Sequence, residues 1–231
     1  MEIDLVVFDL AGTTVNDNQD VHKVLQAALK KNGISISLAE ANAVMGIPKP
    51  VAIKQLLERK SYPSINDKFI GEIHTDFVSH MISFYETDSS VGEKVGVSET
   101  FATLKANGIK VVVDTGFDRQ IVTPLLKRLG WKENNLIDDS VTSDEVKQGR
   151  PFPDMIFEAM KRVGVPDVSR VAKVGDTASD LHEGTSAGCK YVIGITTGAF
   201  SREDLVKEPH THLIKRVSEL LPILGIEKKG S

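Results

Sequence analysis

The sequence predicts an α/β fold, a doubly wound parallel sheet covered by helices, with a helical cap domain inserted after the first strand. Three observations carry this expectation. Short runs rich in β-branched residues recur along the chain, and each stops at a small or acidic residue. Amphipathic helical patterns separate those runs. Residues 17–90, in contrast, carry one helical pattern after another with no convincing strand between them.

Taken in order, residues 3–10 (Ile-Asp-Leu-Val-Val-Phe-Asp-Leu) read as a strand buried on both faces, ending at Ala11-Gly12-Thr13. Helices are expected at 21–31, 38–44, 50–60 and 66–85, with linkers near 16–20 and 88–96. The chain therefore divides into an α/β core, 1–16 with 91–231, and a cap domain, 17–90. Ser98 is placed to cap a helix running to Lys105, with Phe101 and Leu104 on one face and Gly108 past its end. Strands follow at 110–114, 170–174 and 190–195, each leading into a polar turn, and helices at 118–129, 154–163 and 178–187. The tail 227–231 is expected to fray.

Composition narrows the function classes. The 231 residues carry 28 basic and 32 acidic side chains, a formal charge of -4, which argues against a nucleic-acid binder with its basic stripe. No apolar run approaches a membrane span. The single cysteine, Cys189, cannot form an intramolecular disulfide, and the start of the chain lacks the pattern of a signal peptide, so a reducing cytoplasm is the expected setting. Cys189 reads as a small packing residue. With this net charge, an anionic substrate would have to be met locally, and a homodimer remains open.

The polar residues that end the strands fall where this architecture gathers its ligand. Asp9 ends the first strand, Thr115-Gly116 follow the second predicted one, Arg150 lies in the loop Gln148-Gly149-Arg150-Pro151, and Asp176 precedes Asp180 by four residues. Asp9, Asp176 and Asp180 converging on one point would repel one another and raise their own pKa values, and a hard divalent cation such as Mg2+ fits such a set, with Arg150 and Thr115 beside it. Singly, Asp9 and Asp176 would be read as turn or capping residues.

Together, Phe8-Asp9-Leu10-Ala11-Gly12-Thr13, Asp114-Thr115-Gly116, Gly149-Arg150-Pro151 and Gly175-Asp176-Thr177-Ala178-Ser179-Asp180 resemble, in order and spacing, the four motifs of the haloacid dehalogenase superfamily. The resemblance covers nearly the whole chain and implies a Rossmann-like core with Asp9 as nucleophile. It also implies a Mg2+ site that includes the backbone carbonyl of Ala11. Most phosphatases of this superfamily carry a second Asp two residues after the nucleophile, as general acid, and Ala11 cannot act so. In that respect Asp9-Leu10-Ala11-Gly12-Thr13-Thr14-Val15 resembles the phosphonatase branch, the phosphonoacetaldehyde hydrolases, which cleave a carbon–phosphorus bond.

That branch uses a cap lysine that forms a Schiff base with the aldehyde. The resemblance of Met45-Gly46-Ile47-Pro48-Lys49 to its loop makes Lys49 the matching residue, with Met45 and Gly46 beside the substrate. A protonated imine would replace the missing acid by an electron sink, and Lys49 would need a lowered pKa to attack. The chain departs from the branch at Ala52, where a histidine is expected, and at Pro50. Other readings are a phosphomonoesterase in which Lys49 only binds, a binding module without turnover, and a metal-free dehalogenase, for which the Asp176 and Asp180 pair would have no use. Of the histidines, His22, His74 and His80 lie in the insert, where surface or boundary positions are the commoner role. His210 and His212 lack further ligands nearby in sequence. Phe117 is expected in the core rather than at the substrate.

Overall fold

The computed structural model describes residues 2–226, so the expected fraying of 227–231 lies outside the described residues. A six-stranded, all-parallel sheet forms the centre, built from β1 (Leu5–Asp9), β2 (Lys110–Thr115), β3 (Asp139–Thr142), β4 (Val171–Gly175), β5 (Tyr191–Ile195) and β6 (His212–Ile214). The spatial order is β3-β2-β1-β4-β5-β6. The chain therefore winds one way from β1 to β3 and the other way from β4 to β6. Its direction reverses between β1 and β4, which opens a crevice at their carboxyl ends.

Every residue of β1 and β4 is buried, as strands covered by helices on both faces require. The run expected at 3–10 shortens at both ends for local reasons. Asp4 turns aside to pair with Arg170, and the Leu10 carbonyl accepts the N–H groups of Thr13 (3.2 Å), Thr14 (2.9 Å) and Val15 (2.8 Å), folding the chain into a turn directly after Asp9.

Between β1 and β2 the chain builds α1 (Asp20–Lys31), α2 (Leu38–Asn42), α3 (Lys49–Arg59) and α4 (Asp67–Thr87) before α5 (Val97–Ala106) returns it to the sheet. Ser37 and Glu40 form a capping box on α2, and Asn66 accepts from Phe69 N on α4, so both helices begin where capping side chains allow. Ser98, in contrast, is not a cap. Helix α5 starts one residue earlier behind Gly96, and Ser98 binds Glu93 instead, with its hydroxyl 2.5 Å from Oε2. The remaining helices are α6 (Arg119–Leu129), α7 (Asp154–Val163), α8 (Ala178–Ala187), α9 (Arg202–Leu205) and α10 (Leu220–Ile223).

The two chain crossings between insert and sheet are paired with each other. Asn16 N donates to Gly92 O (2.9 Å) and Lys94 N to Thr14 O (2.8 Å), so entry and exit run side by side. The insert packs over the carboxyl ends of the strands. A Cβ added at Gly116 would lie 2.9 Å from the carbonyl oxygens of both Gly46 and Ile47, a separation only glycine permits. One continuous cluster of buried apolar side chains joins Leu25, Ile53 and Phe77 of the insert to Phe8 and Val113 of the sheet. Among the described residues, no helix is long and apolar enough to cross a membrane.

Candidate active site

Asp9 stands at the end of β1, almost wholly buried, and its Oδ1 accepts a 2.7 Å hydrogen bond from Arg150. The turn after it is held from within. Thr14 Oγ1 donates to the Asp9 carbonyl at 2.7 Å, and Thr13 Oγ1 donates to Asp176 Oδ1 at 2.9 Å. Gly12 has φ +89°, and a Cβ there would collide with the Asp176 carboxylate, so this turn closes on Asp176 only with glycine.

Asp176 follows β4, and its Oδ2 accepts the Ala199 N–H at 2.6 Å. Asp180 belongs to the capping box that starts α8: its Oδ2 accepts from Thr177 N (3.1 Å) and Thr177 Oγ1 (2.5 Å). Its other oxygen, Oδ1, lies 2.9 Å from Arg150 Nη1, but that donor is aligned on Asp9, so Oδ1 is left without a hydrogen bond. Asp9, Asp176 and Asp180 each present an oxygen within 4.8 Å of the others. An unsatisfied buried carboxylate oxygen and a converging all-oxygen donor set fit a hard divalent cation. With these carboxylates sharing one buried point, burial, outweighing Arg150, pushes the Asp9 pKa up to about 6; burial and the neighbouring charges of Asp9 and Asp180 push Asp176 up to about 8.

Beneath this triad lies a second layer that the sequence reading did not identify. Arg150 is fully enclosed and reaches four carboxylates: Asp9, Asp180, Glu183 through Nε at 2.9 Å, and Asp114 through Nη2. Lys173, in the middle of β4, pairs with Asp114, with Glu183 at 2.9 Å and with Asp180 at 3.4 Å. Burial pushes Glu183 up to about 8, and Asp114 adds to that rise. For Lys173, burial and Arg150 act downward but the three carboxylates prevail and hold it above its ordinary value. Two signals in the sequence point to this layer. Lys173 is a cation inside an otherwise apolar parallel strand, and Glu183 follows Asp180 by one helical turn.

The insert closes the site from above. Gly46, φ +81°, lies so close to Thr177 and Ser179 that a Cβ would strike both hydroxyls. The loop carrying Met45 and Gly46 then delivers Lys49 at the start of α3. Lys49 is 2 % exposed, its Nζ lies 5.4 Å from the Phe117 ring centre and 5.9 Å from that of Phe77, and among the described residues its sole hydrogen bond is a long one to Ile47 O at 3.4 Å. Burial draws its pKa down to about 8, aided by Arg150 and opposed by Asp9, Asp17 and Asp118. Asp9, Ala11, Met45, Gly46 and Lys49 line one pocket with Thr115, Gly116, Arg150 and Asp176. Asp180 sits behind that wall. Phe117 lines the pocket as well as packing against Phe77 and Tyr85, so it does more than the core role expected of it. Asp17, absent from the sequence-based set, lines the pocket too.

The histidines stand elsewhere. His22 Nε2 bonds Asn42 Oδ1 at 2.9 Å, His80 binds its own helix at Asp76 O, and His74 lies 3.2 Å from Asp118 outside the pocket wall. His210 and His212 make local contacts to Glu208 O and Thr211 Oγ1. Burial pushes the Cys189 thiol up to about 12, which makes it unreactive.

Comparison with known proteins agrees with this geometry. The family model of haloacid dehalogenase-like hydrolases matches residues 6–194. A phosphonoacetaldehyde hydrolase of Parabacteroides distasonis is 34% identical over 211 residues, covering 84% of this chain and 76% of the relative. One from Bacillus cereus is 31% identical over 215 residues, covering 86% and 78%. A crystal structure of a phosphonoacetaldehyde hydrolase-like protein from Oleispira antarctica superposes with a TM-score of 0.85 at 23% identity, covering 97% of this chain and 92% of that one. Family match, curated relatives and strand-end carboxylates agree: this chain belongs to the haloacid dehalogenase-like hydrolases.

Proposed function

We propose that this hydrolase cleaves the carbon–phosphorus bond of a small phosphono-aldehyde such as phosphonoacetaldehyde. The observation that carries the reading is Lys49, a buried amine with its pKa drawn down to about 8, in one pocket with Asp9 while alanine stands two residues after Asp9. The relatives named phosphonoacetaldehyde hydrolase support it.

In this mechanism the Lys49 amine adds to the aldehyde and loses water to give a protonated imine. The Asp9 carboxylate attacks phosphorus in line. The electron pair of the carbon–phosphorus bond passes into the imine and leaves as an enamine. Arg150 and Thr115 orient the phosphonate oxygens, and Gly116 lets the insert's Gly46 and Ile47 carbonyls close down beside them. Water then hydrolyses the aspartyl phosphate to phosphate, while the enamine takes a proton at carbon and hydrolyses to the free aldehyde and Lys49. Asp9, the Ala11 carbonyl, Asp176 and Asp180 would hold Mg2+, which when bound neutralises charge between nucleophile and phosphonate. Residues 17–90 act as a cap that closes over the core to exclude bulk water from the imine.

Lys49→Arg tests the reading, because arginine keeps the charge but forms no imine. Phosphate release from phosphonoacetaldehyde should fall by at least about a thousandfold, as should borohydride trapping of substrate carbon on the protein. Turnover within about tenfold of wild type would instead make Lys49 a phosphate-binding residue and the protein a phosphomonoesterase.

A further inference from the structure

We propose that Asp17 is a specificity-determining residue that reserves the carbon end of the pocket for uncharged groups and turns away substrates bearing a carboxylate there. The inference rests on the reading above only for orientation, with phosphorus at Asp9 and the carbon end toward Lys49.

Asp17 lies in the linker that enters the insert, half-buried. Its Oδ1 accepts the N–H groups of Asp20 at 2.7 Å and Val21 at 3.3 Å, which pins the carboxylate to the first turn of α1. Among the described residues no hydrogen bond is made to its Oδ2, and Asp17 lines the pocket. Val21, Met45, Phe117 and Lys49 line the same pocket. The Asp17 charge is felt across the cavity, where it favours the protonated forms of Lys49, Tyr85 and Lys94.

With phosphorus at Asp9, Arg150 and the hydroxyl of Thr115 would meet the phosphoryl oxygens, which leaves a fixed anion, one amine and apolar side chains among the pocket lining for the rest of the substrate. A substrate carboxylate arriving there would contend with Asp17 for Lys49 and would lie against a like charge. Like charges a few ångströms apart at a partly buried site cost roughly tenfold or more in affinity. An aldehyde, a ketone or an amide escapes that penalty, and a group with a hydrogen to donate gains Oδ2 as an acceptor.

The test uses phosphonoacetamide and phosphonoacetate, which share a shape, differ by one charge and form no imine. Their dissociation constants are measured with Mg2+ on the full chain for wild type, Asp17→Asn and Asp17→Ser. Both variants keep an oxygen able to accept from Asp20 N while removing the charge. Wild type should bind the amide at least about tenfold tighter, and both variants should bring the ratio to within roughly threefold, chiefly by tighter binding of phosphonoacetate. An unchanged ratio in both variants, or a wild-type preference for the carboxylate, overturns the role of Asp17. Phosphate release from a phosphono-aldehyde is followed in parallel. Its absence in wild type would defeat the carbon–phosphorus reading, while the binding ratio would still decide on Asp17.

Discussion

Lys49 meets two aromatic rings and a single distant carbonyl, so its charged form lacks the solvation an exposed lysine enjoys. Asp9, Asp17 and Asp118 face it as anions and Arg150 as a cation, with burial, aided by Arg150, prevailing over the three anions. With a pKa of about 8 the nucleophilic free amine grows in as pH rises through that value, so borohydride trapping of an aldehyde on Lys49 should climb between pH 7 and 9 and then level. Phe117→Ser, which opens one wall to water, should move that transition upward toward the ordinary lysine value; an unmoved transition would separate burial from the reactivity of Lys49. The residues at strand ends, Asp9, Thr115 and Asp176, with Arg150 in the loop 148–151, were legible in the sequence because this topology gathers them at one point. Asp114 was legible as a strand and motif residue but not as a buried counter-ion, and Asp17 not at all. The partners of Asp114 come from distant elements, and no local spacing encodes its enclosure by Arg150 and Lys173.

Among the elements, the helices of the insert were readable to within a few residues because each combines a 3.6-residue apolar stripe with an end signal, as Ser37 and Asn66 provide. Strands β3 and β6 escaped prediction. They are four and three residues long, Asp-Ser-Val-Thr and His-Leu-Ile, and too short to show a period; pairing with β2 and β5 makes them strands. The loop between α2 and α3 rests Gly46 on Thr177 and Ser179 and leads into Lys49, which on the proposed reading makes it the element that positions the amine. Gly46→Ala would add a side chain at positive φ and push against both hydroxyls, lifting the loop from the core. The expected result is a drop of about a hundredfold in kcat/KM with a thermal midpoint within a few degrees of wild type, since a misplacement of about 1 Å suffices for such a loss. Unaltered kinetics would show that the loop does not position Lys49.

At the scale of the whole molecule, Arg150 and Lys173 tie β1, β2, β4 and α8 together at the switch point, through Asp9, Asp114, Asp180 and Glu183. Each cation shares its carboxylates with the other, so neither can be removed without leaving buried anions unmatched. Lys173→Met fills much of the same space but abandons Asp114 and Glu183 to Arg150 alone, and it should cost about 3 to 5 kcal/mol in urea unfolding. The pairing also fixes a pH dependence. Because the folded protein holds the Lys173 pKa above its ordinary value of 10.5, the stability it adds is present below that pH and is lost as pH climbs beyond it, and the Lys173→Met variant should lose that alkaline limb. Adding Glu183→Gln to Lys173→Met removes one of the stranded charges and should return a good part of the loss, a coupling of at least about 1 kcal/mol in the double-mutant cycle. Strict additivity of the two changes would mean that Lys173 answers to Asp114 and Asp180 without Glu183, and that Glu183 is balanced by Arg150.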